Sequence, residues 1–162
     1  MTTGLLRNRL AVAIGLTSML VLALLPGCSD EIKVNDTDVE MLQYKELIEM
    51  QNNPKTGPIV LVDARQPSKF AQGHIPGAVN IFLPDLRASD SRLAGARAIV
   101  VYGNGWQDDL SRAAAKRLIR LRYNAIYEFR GGMEVWQAEG GKVEKDESAT
   151  TAPAAMTTQP HP

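Results

Sequence analysis

The stretch best placed to do chemistry runs Tyr102-Gly103-Asn104-Gly105-Trp106-Gln107-Asp108-Asp109-Leu110. An aliphatic run, Ala98-Ile99-Val100-Val101, leads into it, and a helical pattern beginning Leu110-Ser111-Arg112-Ala113-Ala114-Ala115 follows. A strand that breaks at a Gly-containing loop and restarts as a helix gathers the unpaired N–H groups of the helix start at one point. In open α/β sheets, ligands and nucleophiles sit at such junctions. This junction holds no Cys, no His and no Ser beside a base. Asp108 and Asp109 stand at N-cap positions, each placed to accept orphan N–H groups of the helix. Their carboxylates would fill with the protein's own charge the site an anion would use. Trp106, at the loop tip, is either folded back over the loop or offered to a partner.

Two further groups could carry chemistry. Asp63 and Arg65 close the aliphatic strand Ile59-Val60-Leu61-Val62, and they read as a tie between the strand end and neighbouring loops rather than as ligand contacts. His74 lies in Gly73-His74-Ile75-Pro76-Gly77-Ala78, a turn without a nucleophile, and reads as structural. Ser68 or Ser111 with His74 and an Asp would make a nominal triad, but neither serine has the strand-to-helix elbow such a nucleophile needs.

Composition sets the outer bounds. The 162 residues suit one domain, and 44% hydrophobic with 22% charged residues is a globular balance. Eighteen basic and eighteen acidic residues cancel, so no nucleic-acid partner is expected. With one Cys and two His, neither an intramolecular disulfide nor a Cys/His zinc site can form, and no metal or cofactor is implied.

The single Cys sits at the end of a leader. Arg7 and Arg9 precede an uncharged, mostly apolar run from Leu10 to Leu25, followed by Pro26-Gly27-Cys28-Ser29. A basic start and a short apolar run are secretory-signal features, and the run is short for a spanning helix of roughly 20 residues. Leu25 to Cys28 resembles the lipobox of bacterial lipoproteins, with Pro26 where that family has Ala, Ser, Thr or an aliphatic residue. The resemblance implies that 1–27 is removed, that Cys28 becomes the lipid-bearing first residue, and that 28–36 is a linker. It places the domain in the cell envelope facing the periplasm, and Ser29 after the Cys implies the outer membrane of a Gram-negative cell.

The folded part is expected at 37–145, with a disordered Ala/Thr/Pro tail over 146–162. Ile32 to Val34 is an edge strand or a linker. Thr37 and Glu40 fit a capping box opening a helix whose core face is Met41, Tyr44, Leu47 and Ile48. Further strands are expected at 59–62, 78–81, 99–102 and 125–129, with short helices at 67–72 and near Asp85-Leu86. A longer helix places Leu110, Ala113, Ala114, Leu118 and Leu121 on one side, and a last helix opens at Gly131-Gly132 with Met133 and Trp136 one turn apart. Strands alternating with helices predict a parallel sheet with helices on both faces.

Four stretches, taken in order and spacing, resemble the rhodanese homology domain: Leu61-Val62-Asp63-Ala64-Arg65, Phe70-Ala71-Gln72-Gly73-His74-Ile75-Pro76-Gly77-Ala78, Ile99-Val100-Val101-Tyr102, and Gly131-Gly132-Met133-Glu134-Val135-Trp136. The resemblance spans about Asp36 to Lys145 and implies a five-stranded parallel sheet. It also implies a family structural motif at Asp63, Arg65, Gly73, His74 and Gly77. In active members the residue after the strand's Tyr is a Cys whose thiolate accepts a sulfane sulfur; some carry a second Cys five residues on. Gly103 and Asp108 occupy those positions here. The expectation is a degenerate active-site loop, Gly103 to Asp109, on a non-catalytic binding or scaffolding module whose protein partner would meet the Trp106 loop. A sulfur carrier, or a small-anion binder using the same loop, is the alternative.

Overall fold

The computed structural model describes residues 32–146. The expected leader, the lipobox-like run with Cys28, and residues 147–162 of the expected tail lie outside the described residues; Asp146, expected to open that tail, is described and bonds the domain. Five strands and four α-helices follow in order, besides three single-turn 3₁₀ helices: β1 (Glu40–Met41), α1 (Tyr44–Asn52), β2 (Ile59–Asp63), α2 (Pro67–Gln72), β3 (Val79–Asn80), β4 (Ala98–Tyr102), α3 (Leu110–Arg120), β5 (Ile126–Phe129) and α4 (Gly132–Ala138). The strands form one sheet in the order β1-β5-β4-β2-β3, every pairing parallel.

The order follows from burial. β2 and β4 are aliphatic runs with no polar alternation, so they need cover on both faces and take the centre. β4 is buried along its whole length and pairs with β2 from Ile59↔Ala98 to Asp63↔Tyr102. Its side chains alternate between two cores, as the pleat requires. Ile99 and Val101 pack with Val62, Ala114, Ala115 and Leu118 on the α3 side; Val100 and Tyr102 pack with Leu47, Phe129, Met133 and Trp136 on the α1/α4 side.

The N-terminal part departs from the sequence reading. Thr37 does not cap a helix. Residues Asp36–Asp38 form a single 3₁₀ turn, and Glu40–Met41 pair with Tyr127–Glu128 as the edge strand. The helix starts at Tyr44, where the Glu46 carboxylate accepts the Gln43 N–H at 2.7 Å. Sheet pairing beside β5 therefore overrides the local capping signal, and Met41 is exposed instead of facing a core. Ile32 to Val34 form no strand. In α3 the expected Ala114 and Leu118 are buried and Leu110 and Leu121 pack against the same core, while Ser111 and Ala115 are buried as well and Ser111 donates to the Glu128 carboxylate.

The end of the described chain is a strap. Trp136 Nε1 donates to the Lys142 carbonyl at 2.7 Å. Glu144 exchanges both backbone hydrogen bonds with His74 at 2.9 Å, and Asp146 N–H reaches the Ala71 carbonyl at 3.1 Å.

Candidate functional site

β2, β4 and β5 all end on the same side of the sheet, and the loops that leave them define the site. β4 delivers Tyr102 and then Gly103; α3 begins at Leu110. Between them Asp108 organises the loop. Its Oδ2 accepts the Asn104 backbone N–H at 2.8 Å and the Asn104 Nδ2 at 2.6 Å, while Oδ1 accepts the Leu110 N–H at 3.1 Å. Thus one carboxylate satisfies a helix-start donor and closes the loop that precedes it. A Cβ on Gly103 would stand 2.7 Å from Asp108 Oδ1. The space in front of β4 is therefore held by that carboxylate.

Asp109, expected to cap as well, does not. It occupies the N-cap position of α3 without a side-chain bond to the helix and instead accepts Arg130 Nη2 at 3.0 Å. That hydrogen bond is the main cause raising the Arg130 pKa above its ordinary value.

α4 supports the loop from behind. Met133 N–H donates to the Gly103 carbonyl at 3.1 Å and Glu134 N–H to the Asn104 carbonyl at 2.8 Å. This approach needs Gly132: its φ is +53°, and a Cβ there would lie 2.5 Å from the Gly103 carbonyl oxygen. A cavity of about 470 Å³ opens beside the loop, lined by Arg65, Asn104, Gly105, Gln107, Asp108, Met133, Glu134 and Gln137. Trp106 is 41% exposed and belongs to neither core cluster.

The Asp63–Arg65 pair sits at the end of β2. Arg65 grips Asp63 with Nε at 2.9 and 3.1 Å and Nη2 at 2.6 Å, and it donates Nη2 to the Gly73 carbonyl at 2.7 Å. Asn80 Nδ2 donates to the Asp63 and Arg65 carbonyls. The pair ties β2 to β3 and to the Gly73 turn, and the guanidinium lies 5.9 Å from the Tyr102 ring centroid. Burial, with the Asp63 charge next, pushes the Tyr102 phenol well above its ordinary range, and its oxygen accepts Ile75 N–H at 3.2 Å.

His74 stacks on Phe70 at 3.7 Å between centroids and donates Nδ1–H to the Phe70 carbonyl at 3.0 Å. Its Nε2 lies 3.8 Å from Glu144, which also accepts Gly77 N–H at 3.3 Å. Neither Ser68 nor Ser111 completes a triad with it: Ser111 donates to Glu128 at 2.8 Å, and Ser68 lies on the exposed face of α2.

Several residues of the region went unread in the sequence. Glu128, fully buried near the end of β5, is bonded by Ser111, by Arg112 through Nε at 2.6 Å and through Nη2, and by Arg130 at 3.4 Å. The signal was available: a carboxylate inside Ile126-Tyr127-Glu128-Phe129 must be paired if that run is a buried strand. Arg112 also donates to the Asp36 carbonyl, and Lys116 pairs with Asp36 at 2.5 Å, so the same network holds the segment before β1. Glu134 and Gln137, on the cavity wall, carried no sequence signal beyond their helix.

A five-stranded all-parallel sheet with helices on both faces and a loop site at its C-terminal edge defines an α/β protein of the rhodanese type. The Rhodanese-like domain family matches residues 43–139, and the chain belongs to that family. Among solved structures, the BH2092 protein from Bacillus halodurans is similar at 25% identity and TM-score 0.59, over 66% of this chain and 77% of that one. The Alr3790 protein from Anabaena sp. is similar at 29% and 0.53, over 61% and 78%. RPA3614 from Rhodopseudomonas palustris, described as a protein of unknown function and possible tyrosine phosphatase, shares the fold at 21% identity and TM-score 0.55, over 70% and 96%.

Proposed function

We propose that this chain is a lipid-anchored, envelope-facing rhodanese-like domain that binds a partner and transfers no sulfur. The observation that carries the reading is the seat in front of β4. The Asp108 carboxylate lies against Gly103 and holds the N–H groups of Asn104 and Leu110, at the position where the sequence resemblance implies that active members of the family bear their sulfur. Sulfur transfer needs a thiolate nucleophile. The one Cys of the chain, Cys28, lies in the leader and is assigned to acylation. A small anion would meet Asp108 and Glu134 at the cavity wall, which favours a protein partner over an anion. Trp106 is the anchor offered to it, since an exposed aromatic on a short loop supplies large contact area at little entropic cost.

The test measures thiosulfate-to-cyanide sulfur transfer by the Cys28→Ser chain; thiocyanate above background would overturn the reading. Two companion measurements address the anchor and the partner. Fatty-acid labelling should vanish in Cys28→Ser, and persistent labelling removes Cys28 as the anchor. Envelope proteins cross-linked to the wild-type chain should be lost with Trp106→Ala, and an unchanged cross-linking pattern removes Trp106 from the interface.

A further inference from the structure

Asn104-Gly105 is the one Asn-Gly pair in the chain, and it lies in the loop between β4 and α3. A glycine after asparagine leaves the peptide nitrogen with no Cβ beside it to hinder approach to the side-chain amide. Three features of the loop bear on that approach. Asn104 is exposed, so water reaches it. The Gly105 N–H finds no acceptor among the described residues, so no hydrogen bond must break before it gives up its proton. The Asn104 carbonyl accepts Glu134 N–H at 2.8 Å, which draws electron density out of the Asn104–Gly105 peptide and makes that N–H more acidic.

We infer that Asn104 is a site of spontaneous deamidation, and that its conversion is a one-way switch on the Trp106 loop. Gly105 is buried beside the Glu134 side chain in the resting loop, so its nitrogen loses its proton to solvent base as the loop opens and then attacks Cγ of Asn104. The bond from Cγ to Nδ2 breaks, ammonia leaves carrying a proton from solvent, and a cyclic succinimide closes. Water then opens the ring at either carbonyl, giving aspartate or isoaspartate. One water enters and one ammonia departs, with nothing oxidised or reduced.

The consequence is set by Asp108. Asn104 Nδ2 now donates to Asp108 Oδ2 at 2.6 Å. After conversion a carboxylate faces a carboxylate across that gap, and like charges at such range repel. Asp108 then turns away from Asn104, from Leu110 or from both, and Trp106 moves with the loop it closes. The same clamp governs the rate. While Nδ2 is held, Cγ is kept from turning toward the Gly105 nitrogen, so freeing the clamp accelerates conversion.

The test uses the whole chain incubated at neutral pH and sampled over time. Trypsin releases Ala98 to Arg112, a peptide in which Asn104 is the only asparagine, and mass spectrometry reads amide-to-acid conversion. Conversion at Asn104 should run at least about tenfold ahead of Asn80 and Asn124, each followed by a residue with a Cβ. It should be faster still in Asp108→Ser and absent from that peptide in Asn104→Gln. Separately, Asn104→Asp should change acrylamide quenching of Trp106 against the buried background of Trp136. Conversion at Asn104 no faster than at Asn80 and Asn124 overturns the site. Unchanged quenching in Asn104→Asp overturns the switch.

Discussion

Restoring a thiol in front of β4 tests the account of the Asp108 loop most directly. In a Cys28→Ser background, Gly103→Cys gives the chain a single thiol. The new Cβ would lie 2.7 Å from Asp108 Oδ1 and 3.3 Å from Leu110 Cβ, so the carboxylate must swing aside. That movement gives up its bonds to Asn104 and Leu110, and losing such a cap costs about 1 kcal/mol. With overpacking of about 1–3 kcal/mol added, and roughly 4 °C per kcal/mol for a domain of this size, Tm should fall by about 8 °C or more. The displaced carboxylate then sits near the sulfur. At about 4 Å and an effective dielectric of about 20, the two charges repel by about 4 kcal/mol, which solvent screening at a half-buried group cuts to about 1–2 kcal/mol. The α3 N-terminus opposes this by about 0.3–1 kcal/mol. The thiol should therefore titrate at or above the ordinary value of about 8.5. Adding Asp108→Asn should lower it by about one unit, whereas Asp109→Asn should barely move it, because Asp109 is already paired with Arg130 at 3.0 Å. The assay is iodoacetamide alkylation rate against pH for the single and double variants. A Gly103→Cys thiol that titrates well below 8.5, or an Asp109→Asn effect equal to that of Asp108→Asn, refutes the assignment of the loop to Asp108.

Three further outcomes follow from the fold. Deleting 147–162 should leave Tm within about a degree of wild type, whereas ending the chain at Gly141 should lower it by roughly 10 °C or more, since the strap's bonds to Trp136, His74 and Ala71 contribute about 1 kcal/mol each. Glu128→Ala should cost about 3–5 kcal/mol in urea unfolding, because Arg112 and Arg130 lose the buried charge that neutralises them; a loss below about 1 kcal/mol removes the network from the stability of the fold. The Tyr102 phenol has its folded pKa raised by burial, so the stability linked to its neutral form is present below its unfolded value and lost as pH climbs above about 10. Spectrophotometric titration should accordingly show its ionisation together with unfolding, and Tyr102→Phe should flatten the alkaline fall in stability.

The sequence alone determined the elements whose signals are local and redundant. The aliphatic runs of β2 and β4 could only be strands covered on both faces, and their alternation with helices required a parallel sheet. The strand-loop-helix junction at Gly103 to Asp109, and the place of Asp63 and Arg65 at the end of β2, were legible for the same reason. The tertiary structure decided what depends on residues distant in sequence. Thr37 and Glu40 spell a capping box, yet that segment completes the sheet beside β5, and pairing with Tyr127 and Glu128 outweighs a local cap. Asp108 and Asp109 are neighbours with the same chemistry, and only the position of Arg130, brought over by β5, separates them into a loop clasp and an ion pair. The Gly131-Gly132 pair reads as a helix start, but the need for Gly132 comes from the Gly103 carbonyl it packs against, contributed by the loop after β4, 29 residues earlier. Sequence spacing records what a residue can do, and the partner that decides what it does arrives only when the chain folds.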